Sequence, residues 1–279
     1  MKHNIKLLAL DLDGTSLNNA KHITPAVRQA LLDAMAAGVT VVPASGRPLT
    51  GLSEEFLSIP GINYALTSNG AAVYRLSDRA LIYERCLDTA LAAQLMRRLE
   101  QLDIVATFFA AGQGYASRRQ LTFLPQLDVT EPVRDYLRTS RTPLDDPAAF
   151  ILSHGQVEKF TLNYLPDPKG GALHRDEVLT LLEEFHLKSV SGGTNNDEIT
   201  ADGADKGAGL LALADHLGIP RPQTMACGDS ENDLAMLDAA GFAVAMANSE
   251  ECVFSHADAV TVSNEEDGVA KAVHEYILK

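Results

Sequence analysis

The sequence has little of three things: cysteine, positive charge and long apolar runs. Its three cysteines, Cys86, Cys227 and Cys252, are odd in number and far apart, which argues against a disulfide framework or a cysteine zinc site and favours a reducing cytoplasm. With 23 Lys and Arg against 37 Asp and Glu, the net charge of −14 argues against nucleic acid or an anionic membrane as the main partner. No run approaches the roughly 18 apolar residues that span a bilayer, and Asp11 precedes any stretch long enough for a signal peptide.

What the chain does have is an alternation of apolar strand-like runs and amphipathic helical segments, in 279 residues that allow one large or two modest domains. The run ending at Asp11 is followed by Thr24 and Pro25, which suit the N-cap and first residue of a helix that stops at Gly38. Further runs at 39–43 and 64–67 each end in a polar turn, with a helix predicted at 49–57 between them. The pattern predicts an α/β fold, a Rossmann-like parallel sheet with helices on both faces.

The rhythm changes near residue 84 and returns near Asp205. Between them the sequence mixes short strand-like stretches, helices at 88–102 and 174–185, and loops rich in Pro, Asp and Arg, with a turn predicted at 191–196. We therefore predict a core made of residues 1–84 and 190–279, and an inserted α+β module at residues 85–189.

Two carboxylates, Asp11 and Asp13, end the first apolar run and precede Gly14 and Thr15. Side chains two apart on an extended chain point to the same side, so the pair should project together and needs a divalent cation or a shared proton. Taken alone, the pair is equally well explained as two solvated aspartates at the end of a strand.

Other reactive side chains follow later strands or begin later helices: Ser45, Lys206, Asp229 and Asp233. Each has an ordinary explanation: a turn hydroxyl, a solvated lysine, a helix cap and an exposed first turn. Because function in parallel sheets lies at the carboxyl ends of the strands, the set together predicts a hard divalent cation with a phosphate beside it.

This inventory suits phosphoryl transfer. A carboxylate that attacks phosphorus approaches an anion, so neutralisation by Mg²⁺ and Lys206 is the main catalytic need. Ser45 and the backbone N–H groups after it suit phosphoryl oxygens. Asp13 is placed to give a proton to the leaving alcohol and later take one from water, so we predict a raised pKa for Asp13.

Four motifs resemble, in order along the chain, the four signatures of the haloacid dehalogenase (HAD) superfamily: Asp11–Thr15, Ser45–Arg47, Lys206 and Gly228–Asp233. In detail the sequence resembles the Cof-type IIB group of that superfamily, which has a large inserted cap of the C2B type. The resemblance implies that Asp11 is the nucleophile and Asp13 the general acid and base. It implies Mg²⁺ held by the Asp11 carboxylate, the Asp13 carbonyl and Asp229, with Asp233 close by and not in direct contact with the ion. The residues implied to bind the substrate phosphate are Ser45, Gly46, Lys206 and Asn232.

The favoured interpretation is a Mg²⁺-dependent phosphatase of small phosphorylated metabolites, working through an aspartyl-phosphate. Alternatives are a phosphomutase, a phospho-aspartate signalling switch like a receiver domain, and a binding module without catalysis. A receiver needs no inserted module, and every reactive position is filled, so the last two are disfavoured. Specificity is expected in the inserted module, where four residues are as well explained by ordinary surface positions as by substrate contact: Arg118, Arg119, His154 and Lys159. The substrate and the oligomeric state stay open.

Overall fold

The computed structural model describes residues 4–191 and 195–279. In chain order the strands are β1 Leu7–Asp11, β2 Thr40–Ala44, β3 Tyr64–Thr67, β4 Ala72–Arg75, β5 Ala80–Glu84, β6 Ile104–Ala110, β7 Gln113–Ser117, β8 Arg141–Leu144, β9 Lys159–Tyr164, β10 Val190–Ser191, β11 Asn196–Thr200, β12 Thr224–Gly228, β13 Phe242–Ala245 and β14 Ala259–Val260.

The α-helices are α1 Pro25–Ala36, α2 Glu54–Leu57, α3 Thr89–Leu99, α4 Arg118–Leu121, α5 Glu131–Thr139, α6 Pro147–His154, α7 Arg175–Glu184, α8 Lys206–His216, α9 Leu234–Ala239 and α10 Gly268–Val273. A π-helical turn, His274–Leu278, follows α10, and the 3₁₀ turns are Leu49–Gly51, Ser68–Gly70, Leu124–Gln126, Arg221–Gln223, Glu231–Asp233, Glu251–His256 and Asn264–Glu266. Among the described residues, no helix has both the length and the apolar character needed to cross a membrane.

One sheet has eight strands in the order β14-β13-β12-β1-β2-β3-β4-β5. The strands from β14 to β3 are parallel, whereas β4 and β5 add an antiparallel hairpin at one edge. β1 is central, and the residues Leu7–Leu10 are fully buried, as expected for a parallel strand covered on both faces. The two neighbours of β1 are β2, which follows it in the chain, and β12, which lies near the end of the chain. The carboxyl end of β1 is therefore a topological switch point, where the connections on its two sides run in opposite directions.

Helices cover this sheet as the sequence predicted. α8 and α9 pack together and share a core cluster with Leu7 and Ala9, while α1 packs against α10. The start of α1 is also as predicted: Pro25 is its first residue and the Thr24 hydroxyl accepts a hydrogen bond from the Val27 N–H at 3.1 Å. The predicted α/β fold, a parallel sheet core with helices, is confirmed, with the β4–β5 hairpin as an addition.

The second sheet has the order β10-β11-β9-β6-β7-β8 and is antiparallel except where β7 runs parallel to β8. Alternate residues of β6 and β9, such as Phe108 and Phe160, are buried in one core cluster with residues of α3, α6 and α7. Val105 of β6 belongs instead to a smaller cluster with Leu137 of α5. The two clusters reflect the alternation of side chains along a strand.

The described chain divides into two compact units, and each is treated by itself. The first comprises the described parts of Met1–Arg47, Leu52–Glu84 and Ala204–Lys279; the second comprises those of Pro48–Gly51 and Arg85–Gly203. The sequence placed residues 190–203 in the core, whereas the described residues of that range, 190–191 and 195–203, lie in the second unit. The reason is that β10 pairs with β11 and β11 pairs with β9 of the second sheet.

One local prediction also differs. The helix predicted at 49–57 is a 3₁₀ turn, Leu49–Gly51, and a short α2, because the Ser53 side chain caps α2 by accepting from the Phe56 N–H at 3.4 Å. The turn predicted at 191–196 includes residues 192–194, which lie outside the described residues; at its two ends, Ser191 belongs to β10 and Asn196 to β11.

Candidate active site

The site forms at the carboxyl end of β1, where the buried apolar strand ends in Asp11. Asp11 pairs with Ala44 of β2 in the parallel register, so Ser45 follows directly at the same sheet edge. Asp11 is 6% exposed and Ser45 is 3% exposed. The Ser45 hydroxyl accepts from the Arg47 N–H at 3.2 Å, and Gly46 lies in the bend between them. The parallel register therefore brings the first two motifs together.

Lys206 joins two of the motifs. It is the first residue of α8, capped by Asp205, and its side chain is fully buried. Its Nζ lies 2.6 Å from Asp11 Oδ1 and 2.6 Å from Asp233 Oδ1, and it lies 3.4 Å from Asn232 Oδ1. A lysine is rarely buried unless it is paired, and here two carboxylates provide the pairing.

Asp233 acts within the loop that carries Asp229. It is fully buried, and its Oδ2 accepts from the N–H groups of Asp229 at 3.0 Å and Ser230 at 3.2 Å. With Ser230 it forms a capping box at the start of the turn Glu231–Asp233. Both carboxylate oxygens of Asp233 thus accept hydrogen bonds from the protein. Through these bonds Asp233 orients the Lys206 side chain and the loop that carries Asp229.

Asp229 faces the loop after β1. The Thr15 hydroxyl, 1% exposed, donates to Asp229 Oδ1 at 2.7 Å across 214 positions of sequence. Gly14 has φ +89, and a Cβ there would collide with Asp229 Oδ2. A glycine is therefore required by its backbone conformation and by the close approach of the carboxylate.

The buried groups carry an excess of negative charge. Burial raises the pKa of Asp11, Lys206 opposes this, and the charges of Asp233 and Asp229 add to it. Burial raises the pKa of Asp229 to about 6, with the Thr15 hydrogen bond opposing and Asp233 adding. Burial on its own would lower the pKa of Lys206, but Asp11 and Asp233 outweigh it, so the pKa is raised and the ammonium stays charged. Three carboxylates face one ammonium.

These residues fit a divalent cation. One carboxylate oxygen from each of Asp11, Asp229 and Asp233 lies within 4.8 Å of the others, among the described residues. Oxygen donors at this spacing suit Mg²⁺, which binds few carboxylates and keeps several waters. A 2+ charge would also offset the excess negative charge. Lys206 engages one oxygen of Asp233 and backbone N–H groups engage the other, so Asp11 and Asp229 are the residues of the cluster that could serve as direct ligands.

Asp13 has different partners from Asp11. Arg47 Nη2 lies 3.0 and 2.8 Å from its two carboxylate oxygens, and Lys21 Nζ lies 2.8 Å from Oδ1. Burial on its own would raise the pKa of Asp13, but the charges and hydrogen bonds of Arg47 and Lys21 outweigh it and lower the pKa. The predicted raised pKa of Asp13 is therefore wrong for this structure. The motif contained Arg47, yet its position beside Asp13 was missed, and nothing in the sequence indicated Lys21.

The four side chains considered in the inserted module are all engaged within the second unit. Arg118 forms an exposed ion pair with Asp145 at 2.6 Å, and Arg119 one with Asp103 at 2.6 Å. His154 stacks on Phe150 with ring centroids 4.5 Å apart. Lys159, 1% exposed, pairs with Glu198 at 2.5 Å. Arg118 and Arg119 thus occupy surface positions, and Lys159 is a buried ion-pair member.

Comparison with known proteins places the chain in a family. Residues 8–273 match the model of the haloacid dehalogenase-like hydrolase family. The 5-amino-6-(5-phospho-D-ribitylamino)uracil phosphatase YcsE of Bacillus subtilis is 30% identical over 276 residues, which cover 99% of this chain and 97% of that protein.

Two solved structures share the fold. A haloacid dehalogenase-like hydrolase from Bacteroides thetaiotaomicron is 25% identical with a TM-score of 0.78, covering 97% of this chain and 98% of that one. A sugar phosphatase of HAD subclass IIB is 23% identical with a TM-score of 0.74, covering 96% and 98% of the two chains, and is a likeness of fold. The chain therefore belongs to the haloacid dehalogenase-like hydrolases, as its motifs predicted, and has the fold of subclass IIB.

Proposed function

We propose that this protein is a Mg²⁺-dependent phosphatase that hydrolyses small phosphomonoesters, such as sugar phosphates, through an aspartyl-phosphate on Asp11. The observation that carries the proposal is the buried Lys206, held 2.6 Å from both Asp11 and Asp233 with Asp229 beside them. A structural ion pair needs one carboxylate for one lysine. Three carboxylates around one ammonium suit a site that receives a cation and a phosphate.

Asp11 would attack phosphorus, and the bond between phosphorus and the ester oxygen would break as the new bond to the Asp11 carboxylate forms. Lys206 would offset the repulsion between the two anions. Ser45 and the N–H groups that follow it, with Asn232, would hold the non-bridging oxygens. In the second step a water molecule would attack the phosphorus of the acyl phosphate and release inorganic phosphate and free Asp11.

Asp13 would handle the proton in both steps. In the first it would donate to the leaving alcohol, and in the second it would accept from the attacking water. The ion pairs with Arg47 and Lys21 favour the ionised form, which is the form needed for the second step. For the first step these pairs have to loosen, so that Asp13 carries a proton when substrate is bound.

Mg²⁺ would be held by the carboxylates of Asp11 and Asp229, with Asp233 in support and, as the family pattern implies, the Asp13 carbonyl. When bound, it supplies charge neutralisation for the phosphate as negative charge shifts towards the leaving oxygen.

The experiment is a phosphatase screen with Mg²⁺, p-nitrophenyl phosphate and a panel of phosphorylated metabolites. The panel should include sugar and sugar-alcohol phosphates, because YcsE is named for a phosphorylated ribitylamino compound. We expect release of inorganic phosphate by the wild type and none by Asp11→Asn. Asp13→Asn should slow turnover and accumulate phospho-enzyme.

Other outcomes would point elsewhere. An isomerised product without free phosphate indicates a phosphomutase, and an acyl phosphate that persists for minutes indicates a signalling switch. If the folded wild type released no phosphate from any compound of a broad panel, the proposal would be rejected.

A further inference from the structure

Two asparagines outside the acidic cluster hold the loop that follows Asp11. Asn248 Nδ2 donates to the Gly14 carbonyl at 2.8 Å, and Asn264 Nδ2 donates to the Leu17 carbonyl at 3.0 Å. The two are also joined, since the Asn264 N–H donates to Asn248 Oδ1 at 2.9 Å. We call Asn248 and Asn264 the asparagine brace. It fixes the loop at two points, three residues apart.

Asn264 is the buried member of the brace, whereas Asn248 is exposed. Asn248 follows β13, whose strand neighbour β12 leads to Asp229. Asn264 is 5% exposed and begins a turn closed by a capping box between Ser263 and Glu266. A buried amide is costly unless its donors are satisfied, and the Asn264 amide is satisfied by the loop: by Leu17 and, at 3.3 Å, by Asn19 Oδ1.

The braced loop is the segment in contact with Asp229. Gly14, whose carbonyl receives Asn248, leaves no room for a side chain between its Cα and the Asp229 carboxylate. The next residue, Thr15, donates its hydroxyl to Asp229 Oδ1 at 2.7 Å. Asn248 therefore fixes the peptide unit that joins Gly14 to Thr15. A shift of that unit would move the hydroxyl that orients Asp229.

We propose that Asn248 and Asn264 are positioning residues that set Asp229 for the divalent cation by fixing the Gly14–Thr15 segment. The inference rests on the proposed function only in taking Asp229 as a cation ligand. Groups that orient the ligands of a metal commonly affect its affinity strongly, and the brace acts one step further out.

The test measures Mg²⁺ binding by the full chain without substrate, from the rise in unfolding temperature as Mg²⁺ is titrated. Losing one hydrogen bond of ordinary strength corresponds to roughly a 3- to 10-fold effect, so we expect Asn248→Ala to weaken Mg²⁺ binding by about that factor. Asn248→Asp keeps the acceptor for Asn264 but loses the donor to Gly14, and should weaken binding at least as much. Asn264→Ala should also weaken it.

The matched control is Asn196→Ala in the second unit, which loses an amide hydrogen bond of 2.9 Å to Asn163. It should lower stability without changing the Mg²⁺ midpoint. Because Asn248 is exposed, Asn248→Ala should fold even if Asn264→Ala does not. In turnover assays the Mg²⁺ concentration giving half-maximal rate should rise for Asn248→Ala, while KM for substrate at saturating Mg²⁺ stays close to wild type.

The outcomes separate this inference from the proposed function. Mg²⁺ midpoints for Asn248→Ala equal to those of wild type would overturn the brace, whatever the enzyme hydrolyses. A wild type that binds Mg²⁺ in a brace-dependent way but releases no phosphate would reject the phosphatase proposal alone. A wild type with no Mg²⁺-dependent shift would overturn both.

Discussion

Lys206→Met tests whether the site depends on the buried ammonium. Methionine is apolar and of similar length, so the change removes the charge with little change in volume. In the wild type the ammonium pairs at 2.6 Å with both Asp11 and Asp233, and none of the three side chains exceeds 8% exposure. Removing one member of a buried ion pair typically costs about 3–5 kcal/mol, because the remaining charge stays buried without compensation.

Protonation sets an upper bound on the loss. A buried carboxylate without its lysine can take up a proton, and this costs about 1.4 kcal/mol for each pH unit above its ordinary pKa of 3.8. Neutralising Asp11 at about pH 7.5 therefore costs about 5 kcal/mol, but only about 2 kcal/mol at about pH 5.5. Burial already raises the pKa of Asp11 in the folded wild type, and Lys206 opposes that rise. Without Lys206 the pKa of Asp11 rises further, so folded Lys206→Met holds a proton that the unfolded chain releases, and its stability falls more steeply than that of the wild type as pH rises.

The assay is urea unfolding of wild type and variant, without Mg²⁺, at both pH values. We expect Lys206→Met to lose about 3–5 kcal/mol at the higher pH and at most about 2 kcal/mol at the lower one. Lys271→Met, an exposed lysine on α10, is the matched control and should change stability by less than about 0.5 kcal/mol. A loss no larger than that of Lys271→Met, or one that grows as pH falls, would show that the buried carboxylates do not depend on the Lys206 charge.

Three further predictions concern the neighbours of this centre. Gly14→Ala should lower the free energy of unfolding by about 2 kcal/mol, because φ at this position is +89, and should weaken Mg²⁺ binding roughly tenfold by displacing Asp229. Gly38→Ala is the control: its φ is +83 but a Cβ there meets no other atom, so only the loss of stability should appear in unfolding assays. Equal Mg²⁺ midpoints for the two variants would contradict this. Arg47→Met should cost about 0.5–1 kcal/mol near pH 7, since the pair with Asp13 is partly exposed. Because the pKa of Asp13 is lowered, that difference should disappear as urea unfolding is repeated towards pH 3, and a difference that persisted there would exclude this pairing as its cause. Finally, the Mg²⁺-dependent rise in unfolding temperature should be larger at about pH 7.5 than at about pH 5, because below about pH 6 the cation competes with a proton on Asp229; equal rises would show that Asp229 is not a ligand.

Local patterns predicted the elements that carry the site. The buried run of β1, the Thr24 cap and the stop at Gly38 each depend on neighbours a few residues away, and each is found in the structure. The sheet order then follows from parallel pairing, which places Asp11 beside Ser45. The motifs could be gathered at one edge from sequence alone because strand ends in such a sheet are neighbours in space.

What the sequence did not predict depends on loop conformation. Lys21 reaches Asp13 from a backbone in the left-handed region, φ +64, and no local pattern indicates where its side chain ends. The contact between Thr15 and Asp229 spans 214 positions, and that between Asn264 and Leu17 spans 247. The Thr15 hydroxyl was visible in the motif, but its acceptor was not. The sequence also did not predict the antiparallel β4–β5 hairpin. The chain enters it through the turn at Asn69–Gly70, where both residues have positive φ.

The two aspartates of the first motif show how strongly position decides chemistry. They lie two residues apart, yet the strand ends at Asp11, so that side chain stays in the sheet edge among Asp229, Asp233 and Lys206. Burial and like charges there raise its pKa. Asp13 lies beyond the strand, where two cations reach it and lower its pKa. A proton on Asp13 therefore requires that Arg47 or Lys21 move away. The Lys21 side chain is 59% exposed and the Arg47 side chain 31%, so the ion pair with Lys21 is the more solvated of the two and is the weaker one to break. Under the proposed mechanism, release of Lys21 is thus the easier route by which the ionised Asp13 would become an acid.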